Sequence, residues 1–194
     1  MTERFEQGDA LLIVDVQNDF CPGGALAVPE GDQVVPVLNQ WSEAAQGAGI
    51  PVYASRDWHP ENHISFRERG GPWPPHCIQN TQGAAFHPGL DLPVQATVIS
   101  KGADPDRDQY SAFDDTGLGE QMRREGVHRV WVGGLAQDVC VRASVIDGAQ
   151  EGFDIHLILP ATRPVEVSPG DGEQALEDMR QAGASIERAP EPAL

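Results

Sequence analysis

The sequence predicts an α/β three-layer sandwich built on a mainly parallel six-stranded sheet. Three observations carry that prediction. Six short apolar runs recur along the chain, helix-like stretches lie between them, and the first five runs are β-rich without strict alternation, as parallel strands covered on both faces are. Such alternation of strand and helix implies right-handed crossovers within one sheet. With 40% hydrophobic residues, the 194-residue chain suits one globular domain, 1–194, whose core runs from about 9 to 187.

The elements follow in order. "ALLIVDV" (10–16) is the first strand and leads to a helix at about 31–48; "PVYASRD" (51–57) is the second strand and closes on Asp57. Residues 58–95 are rich in Pro, Gly, His and aromatics, and a loop that long in a compact domain is usually functional. "ATVISK" (96–101), the third strand, closes on Lys101 and precedes a helix at about 114–126. "HRVWVGG" (128–134) is the fourth and runs into a turn that carries Cys140, followed by a helix at about 138–152. "FDIHLIL" (153–159), a helix at about 171–183 and "ASIERA" (184–189) complete the pattern, and the closing "APEPAL" reads as a loose tail.

Thirty acidic against thirteen basic residues give a formal net charge of −17, which repels phosphate backbones and anionic membranes and argues against a nucleic-acid partner. The acidity fits either solubility or an origin in high salt. The opening "MTERFEQGDA" has no apolar stretch behind a basic region, and "ALLIVDV" falls far short of the roughly 20 residues of a membrane span. A soluble, cytoplasmic protein is therefore expected. Cys21, Cys77 and Cys140 form no CxxC pair, so a reduced compartment fits better than a disulfide framework or a cysteine-rich zinc module.

In an open parallel sheet, ligands bind outside the carboxyl ends of the strands. Asp15, Asp57, Lys101 and Cys140 all stand at such ends, and topology alone gathers them on one edge. A lone buried cysteine is more often packing than chemistry. At the first turn of a helix, however, free N–H groups and the dipole lower a thiol's pKa, and the Lys101 ammonium lowers it further. Beside those two groups Asp15, otherwise a turn cap, becomes a candidate proton carrier, with burial raising its pKa and Lys101 opposing that. Cys21 in "FCPGG" and Cys77 in "PPHCIQ" read as structural.

Asp57 and His59, at i and i+2 of a strand end, project to the same side. With His63 and His76 in the loop that follows, they suit a mononuclear metal with mixed O and N ligands and open, water-filled positions. His87, His128 and His156 receive no role. Phe20, Trp58, Trp73 and Tyr110 lie in polar loops, where they serve either as flat walls for a planar ligand or as ordinary packing.

Five segments in register carry a more specific signal: "LLIVDVQNDFCPGGALAVPEGDQVVPVLN", "YASRDWHPENHISF", "GPWPPHCIQNTQGAAFHPGL", "SKGADPDRDQYSAF" and "GLAQDVCVRASVIDGA". Over roughly residues 9 to 187 the chain resembles the nicotinamidases (pyrazinamidases) of the isochorismatase-like cysteine-hydrolase superfamily, whose fold is Rossmann-like. The resemblance implies a catalytic triad of Asp15, Lys101 and Cys140, and metal ligands Asp57, His59 and His76, with His63 or water completing the sphere. It implies that Phe20 and Trp73 flank a substrate ring with Tyr110 near the pocket. It further implies an oxyanion hole from the backbone N–H groups of Ala136 and Cys140, beside a peptide before Ala136 that is often cis.

The cofactor so implied is one divalent metal ion per subunit, zinc ahead of iron or manganese. The implied reaction is hydrolysis of nicotinamide to nicotinate and ammonia through a Cys140 thioester, in NAD salvage, with pyrazinamide fitting the same pocket. Faces of this fold often pair, so a homo-oligomer stays open. Gln137 departs from the family, which more often has threonine there. Two rivals remain at this point: an amidohydrolase of N-carbamoyl or ureido substrates, which the Asp57, His59 and His76 set disfavours, and a non-catalytic binding protein, which requires an inert Cys140.

Overall fold

The computed structural model describes residues 5–189 and 192, so most of the predicted "APEPAL" tail lies outside the described residues. Six strands, β1 (Asp9–Val14), β2 (Val52–Asp57), β3 (Thr97–Lys101), β4 (Arg129–Leu135), β5 (Asp154–Arg163) and β6 (Ser185–Glu187), form one sheet in the order β3-β2-β1-β4-β5-β6. Every pairing within it is parallel. The order reverses between β1 and β4, and that reversal opens the crevice in which doubly wound sheets bind ligands.

The apolar runs are continuous because both faces of the sheet are covered. Leu11 and Ile13 of β1 pack on one side with Val34, Leu38, Trp41 and Ala45 of α1 (Val34–Gly47) and with Cys77, Ala84 and Leu90 of the 58–95 segment. Ala10, Leu12 and Val14 face the other way, toward Leu118 and Met122 of α2 (Leu118–Arg124), Val145 of α3 (Arg142–Gln150) and Ala175 and Met179 of α4 (Asp171–Gln181). All six residues of β1 are buried, as a central strand requires. The close approach of β1 and β4 needs a glycine: Gly134 has φ 128, and a Cβ there would run into the Val14 carbonyl.

Most boundaries fall within one to three residues of the expectation, and four differences bear on the site or the packing. β1 stops at Val14 rather than residue 16, because Asp15 turns out of the strand in a left-handed conformation (φ 49). β5 runs on to Arg163, past Pro160, its register against β4 slipping between Val132 and Gly134, where a bulge tolerates the missing N–H. α2 begins at Leu118 rather than 114, leaving 102–117 as a loop. The helix expected from residue 138 opens instead with a π turn over Gln137–Val141, and α3 follows it.

Residues 58–95 replace a crossover helix between β2 and β3. They are tied down by single bridges, His59 with Ile78, Phe66 with Trp73, and Gln17 with Phe86. Among the described residues no helix is long and apolar enough to cross a membrane.

Candidate active site

Three adjacent strand ends and the turn after β4 deliver one cluster. Asp57 and Lys101 are the last residues of β2 and β3 and face each other in register. Asp15 follows β1, its N–H donating to the Ser55 carbonyl of β2 at 3.1 Å. Lys101, the chain's single lysine, is buried, with Nζ 2.7 Å from Asp15 Oδ2, 2.5 Å from Asp57 Oδ1 and 3.5 Å from Cys140 Sγ. Ser55 Oγ donates to Asp15 Oδ1 at 2.7 Å. Atoms of Asp15, Asp57 and Cys140 lie within 4.8 Å of one another.

Burial and ion pairing set the protonation states. Burial raises the Asp15 carboxyl, with Lys101 opposing and Asp57 adding to the rise. Burial alone would raise Asp57 too, but the Lys101 ammonium, with the imidazoles of His59 and His76 beside the other oxygen, holds it well below the ordinary carboxylate range. Burial would lower Lys101, yet the two carboxylates outweigh it and keep the ammonium well above its usual value.

The expected lowering of the Cys140 thiol is not found. Burial pushes it well above its ordinary value, Lys101 counteracts, and the carboxylates of Asp15 and Asp57 push it up further. The reason is local: Cys140 sits inside the π turn and is 5% exposed, not in the open first turn of an α-helix. The thiol is therefore protonated at rest, beside a carboxylate able to take its proton.

Asp57 Oδ2 turns away from Lys101 toward two imidazoles, 3.4 Å from His59 Nε2 and 3.7 Å from His76 Nε2. The other ring nitrogens are committed to backbone carbonyls, His59 Nδ1 to Gly102 at 3.0 Å and His76 Nδ1 to Pro74 at 2.8 Å. That pattern leaves both Nε2 atoms free to ligate and fixes the rings, as in protein metal sites. Ligand atoms of Asp57, His59 and His76 lie within 4.8 Å of one another, so the donor set fits one divalent ion. His63 stacks on His59 with ring centroids 4.0 Å apart, but its nitrogens face Ser65 Oγ at 2.7 Å and the Arg107 carbonyl at 3.0 Å, which leaves neither for a metal.

A pocket of about 370 Å³ opens over the cluster. Phe20, Trp73, Tyr110, Asp57, His76, Ala136 and Cys140 all line it, while Trp58 does not and instead stacks under the Arg56 guanidinium at 3.8 Å. Trp73 Nε1 donates to the Tyr110 hydroxyl at 3.2 Å, which joins the two aromatics into one wall. The Leu135–Ala136 peptide is cis. Cys21 and Cys77 are buried outside this lining, and burial raises both thiols, Cys21 to about 11.

Across known proteins, the Isochorismatase domain matches residues 9–191. The chain belongs to the isochorismatase family. Within the family it is 42% identical to the nicotinamidase of Escherichia coli (strain K12), over 91% of this chain and 93% of that protein. The crystal structure of the pyrazinamidase of Pyrococcus horikoshii in complex with zinc superposes with a TM-score of 0.89 at 48% identity, covering 94% of this chain and 99% of that one. PnC1 from L. infantum in complex with nicotinate superposes with a TM-score of 0.84 at 37% identity, covering 93% and 92%.

Two supporting residues of this family member escaped sequence reasoning. The buried Gln17 amide brackets Asp57, its Oε1 accepting from the Asp57 N–H and its Nε2 donating to the Asp57 carbonyl, both at 2.8 Å, and also to Ala84 at 2.9 Å. Asp19 Oδ2 accepts from the N–H of Cys77, next to His76, at 2.7 Å. Both stand in "DVQNDF", directly after Asp15, and a polar run that immediately follows a buried strand was the available signal.

Proposed function

We propose that the chain hydrolyses nicotinamide to nicotinate and ammonia, and pyrazinamide likewise, through a thioester on Cys140. The observation that carries this reading is the contact of Lys101 Nζ with both Asp15 and Cys140 at the edge of a mainly apolar, aromatic-walled pocket. A neutral planar amide suits such a pocket, and the kinship with nicotinamidases supports the choice of ring.

In the proposed cycle Asp15 removes the Cys140 proton as sulfur attacks the carboxamide carbon, because a raised thiol forms little thiolate beforehand. Lys101 balances the resulting negative charge. The developing oxyanion is assigned to the backbone N–H groups of Ala136 and Cys140, at about 3 kcal/mol per donor. Protonated Asp15 gives its proton to the departing amine, and ammonia leaves a thioester. Asp15 then accepts a proton from water as the hydroxide attacks, and it returns that proton to sulfur as nicotinate departs.

Asp57, His59 and His76 would hold one divalent ion, zinc by kinship with the zinc-bound neighbour. When bound, that ion supplies a Lewis-acid anchor for a ring nitrogen. Phe20 and Trp73 hold the ring faces. The role proposed for this reaction is NAD salvage, on the kinship with nicotinamidases.

The test is proton NMR of purified protein with nicotinamide, with and without prior chelation, and with Cys140→Ala as blank. Nicotinate should appear only with the intact cysteine and more slowly after chelation. Failure of metal-replete protein to form nicotinate, with N-carbamoyl amides turned over instead, would overturn the substrate.

A further inference from the structure

The connection from β5 to α4 supplies one residue to the pocket, Val165, and that residue is held from the nucleophile's own turn. Asp138, two residues before Cys140, accepts the Val165 N–H on Oδ1 at 2.8 Å and the Glu166 N–H on Oδ2 at 2.9 Å. Its carboxylate does not line the pocket; Val139 and Cys140 of the same turn do, together with Val165. Behind it, Gln137 accepts from Thr162 Oγ1 at 2.8 Å and donates to the Gly172 carbonyl at 3.1 Å. Glu166, in a left-handed conformation (φ 52), closes the segment by accepting from Gly170 and Gly172 N–H at 3.0 and 2.9 Å.

Residues 166–170 are otherwise exposed. Val165 is thus a half-buried wall residue that packs against the core at the start of an exposed connection, where one carboxylate holds its backbone. Two charge-assisted hydrogen bonds to adjacent N–H groups fix both the position and the orientation of that short stretch of backbone.

We propose that Val165 determines which ring substituents the pocket admits, and that Asp138 is the positioning residue that holds it. The accepted class is then heteroaromatic carboxamides without bulk on the ring edge that faces this wall. This inference rests on the reading of the pocket as a nicotinamide site. An apolar wall discriminates one methyl group by about tenfold or somewhat more.

The experiment has two arms. In the first, the kcat/KM of each ring-methylated nicotinamide is compared with that of nicotinamide. Val165→Ala should raise that ratio at least about tenfold for one isomer, and Asp138→Ala should raise it for the same isomer while increasing the KM for nicotinamide more than it lowers kcat. Asp138→Asn, which keeps one acceptor, should fall between. The second arm needs no substrate. Amide hydrogen exchange at Val165 and Glu166 should speed up at least about tenfold in Asp138→Ala, with the β1 amides unchanged.

Unchanged selectivity in Val165→Ala overturns the wall, and unchanged exchange in Asp138→Ala overturns the clip. A fall in kcat with constant KM in Asp138→Ala also overturns it, since Asp138 would then act on Cys140 itself. If the wild type leaves nicotinamide intact while Asp138→Ala still exchanges faster at Val165 and Glu166, the substrate assignment fails and the clip stands.

Discussion

β1 begins on one buried aspartate, Asp9, and is followed at once by another, Asp15, and each meets a cation. At the start, Asp9 receives Arg129 of β4 in a two-pronged pair, Nε to Oδ1 and Nη2 to Oδ2, both at 2.7 Å, with Trp131 Nε1 and the Glu6 N–H completing Oδ2 at 3.1 and 3.0 Å. At the end, Asp15 receives the Lys101 ammonium at 2.7 Å, and its Oδ2 is, among the described residues, the buried side-chain atom without an aligned hydrogen bond. The first site is saturated by a guanidinium, which does not give up a proton in proteins. The second leaves Oδ2 held by the Lys101 ammonium and open to the Cys140 thiol, in a carboxyl whose affinity for protons burial has raised. Strand and layer are the same, and saturation separates the structural pair from the reactive one.

The sharpest way to break that contrast is to neutralise each aspartate. Asp15→Asn should lower kcat/KM for nicotinamide by at least about 10³-fold, because the proton carrier is gone, while Asp9→Asn should leave kcat within about twofold. Comparable losses of turnover in both variants would dissolve the distinction.

Next in size is stability. Arg129→Ala strips the guanidinium from a carboxylate whose side chain is 0% exposed, so it should cost about 3–5 kcal/mol in urea unfolding. A cost under about 1 kcal/mol would mean that Trp131 and the Glu6 N–H suffice for Asp9.

The two ends also differ in how legible they were. The strand-end residues Asp15, Asp57, Lys101 and Cys140 could be read because a parallel sheet sends every carboxyl end to one edge, whatever the loops do. The Asp9–Arg129 pair could not, since its partners lie 120 residues apart and an acid beside an apolar run reads as a solvated end. Nor could the Gln17 bracket or the Asp138 clip, where a side-chain amide or carboxylate replaces a backbone partner from another segment. The π turn was hidden because it runs without a break into α3, and no residue in Gln137–Val141 marks the wider hydrogen-bond spacing. Burial of Cys140 and the carboxylates of Asp15 and Asp57 beside it, none of them visible from its place in the sequence, explain why the thiol's pKa was expected to move the wrong way.

A smaller effect tests the direction of that shift. The Asp15 carboxylate raises the Cys140 thiol, so its neutralisation should lower the thiol's pKa. Asp15→Asn should therefore alkylate at Cys140 with iodoacetamide about tenfold faster at pH 8 than wild type, roughly one pKa unit, while turning over far more slowly. In wild type, the rate should climb with pH beyond the ordinary thiol range instead of levelling off near neutrality. Peptide mapping separates Cys140 from Cys21 and Cys77, which are buried away from the pocket lining. Slower alkylation of Asp15→Asn would mean that Asp15 stabilises the thiolate and is not its proton acceptor.

The smallest effect concerns the surface, where neither kind of pair operates. The chain's one lysine is buried at the site, so every other cationic side chain is arginine, and several of those are spent on local neighbours, Arg107 on Asp114 and Asp115, Arg123 on Glu151, Arg142 on Asp178. Exposed pairs of this kind contribute about 0–1 kcal/mol each, whereas a net charge of −17 repels itself across the whole surface. Raising KCl shortens the screening length to about 3 Å at 1 M, which weakens both terms but the long-range repulsion more. The Tm should therefore rise by about 5 °C between 0.1 and 1 M KCl, with the urea cost of Arg129→Ala unchanged because Asp9 is screened by protein rather than by salt. A Tm that falls with KCl would put the exposed ion pairs ahead of self-repulsion, and the surface would then resemble the Asp9 end of β1 more than this charge balance allows.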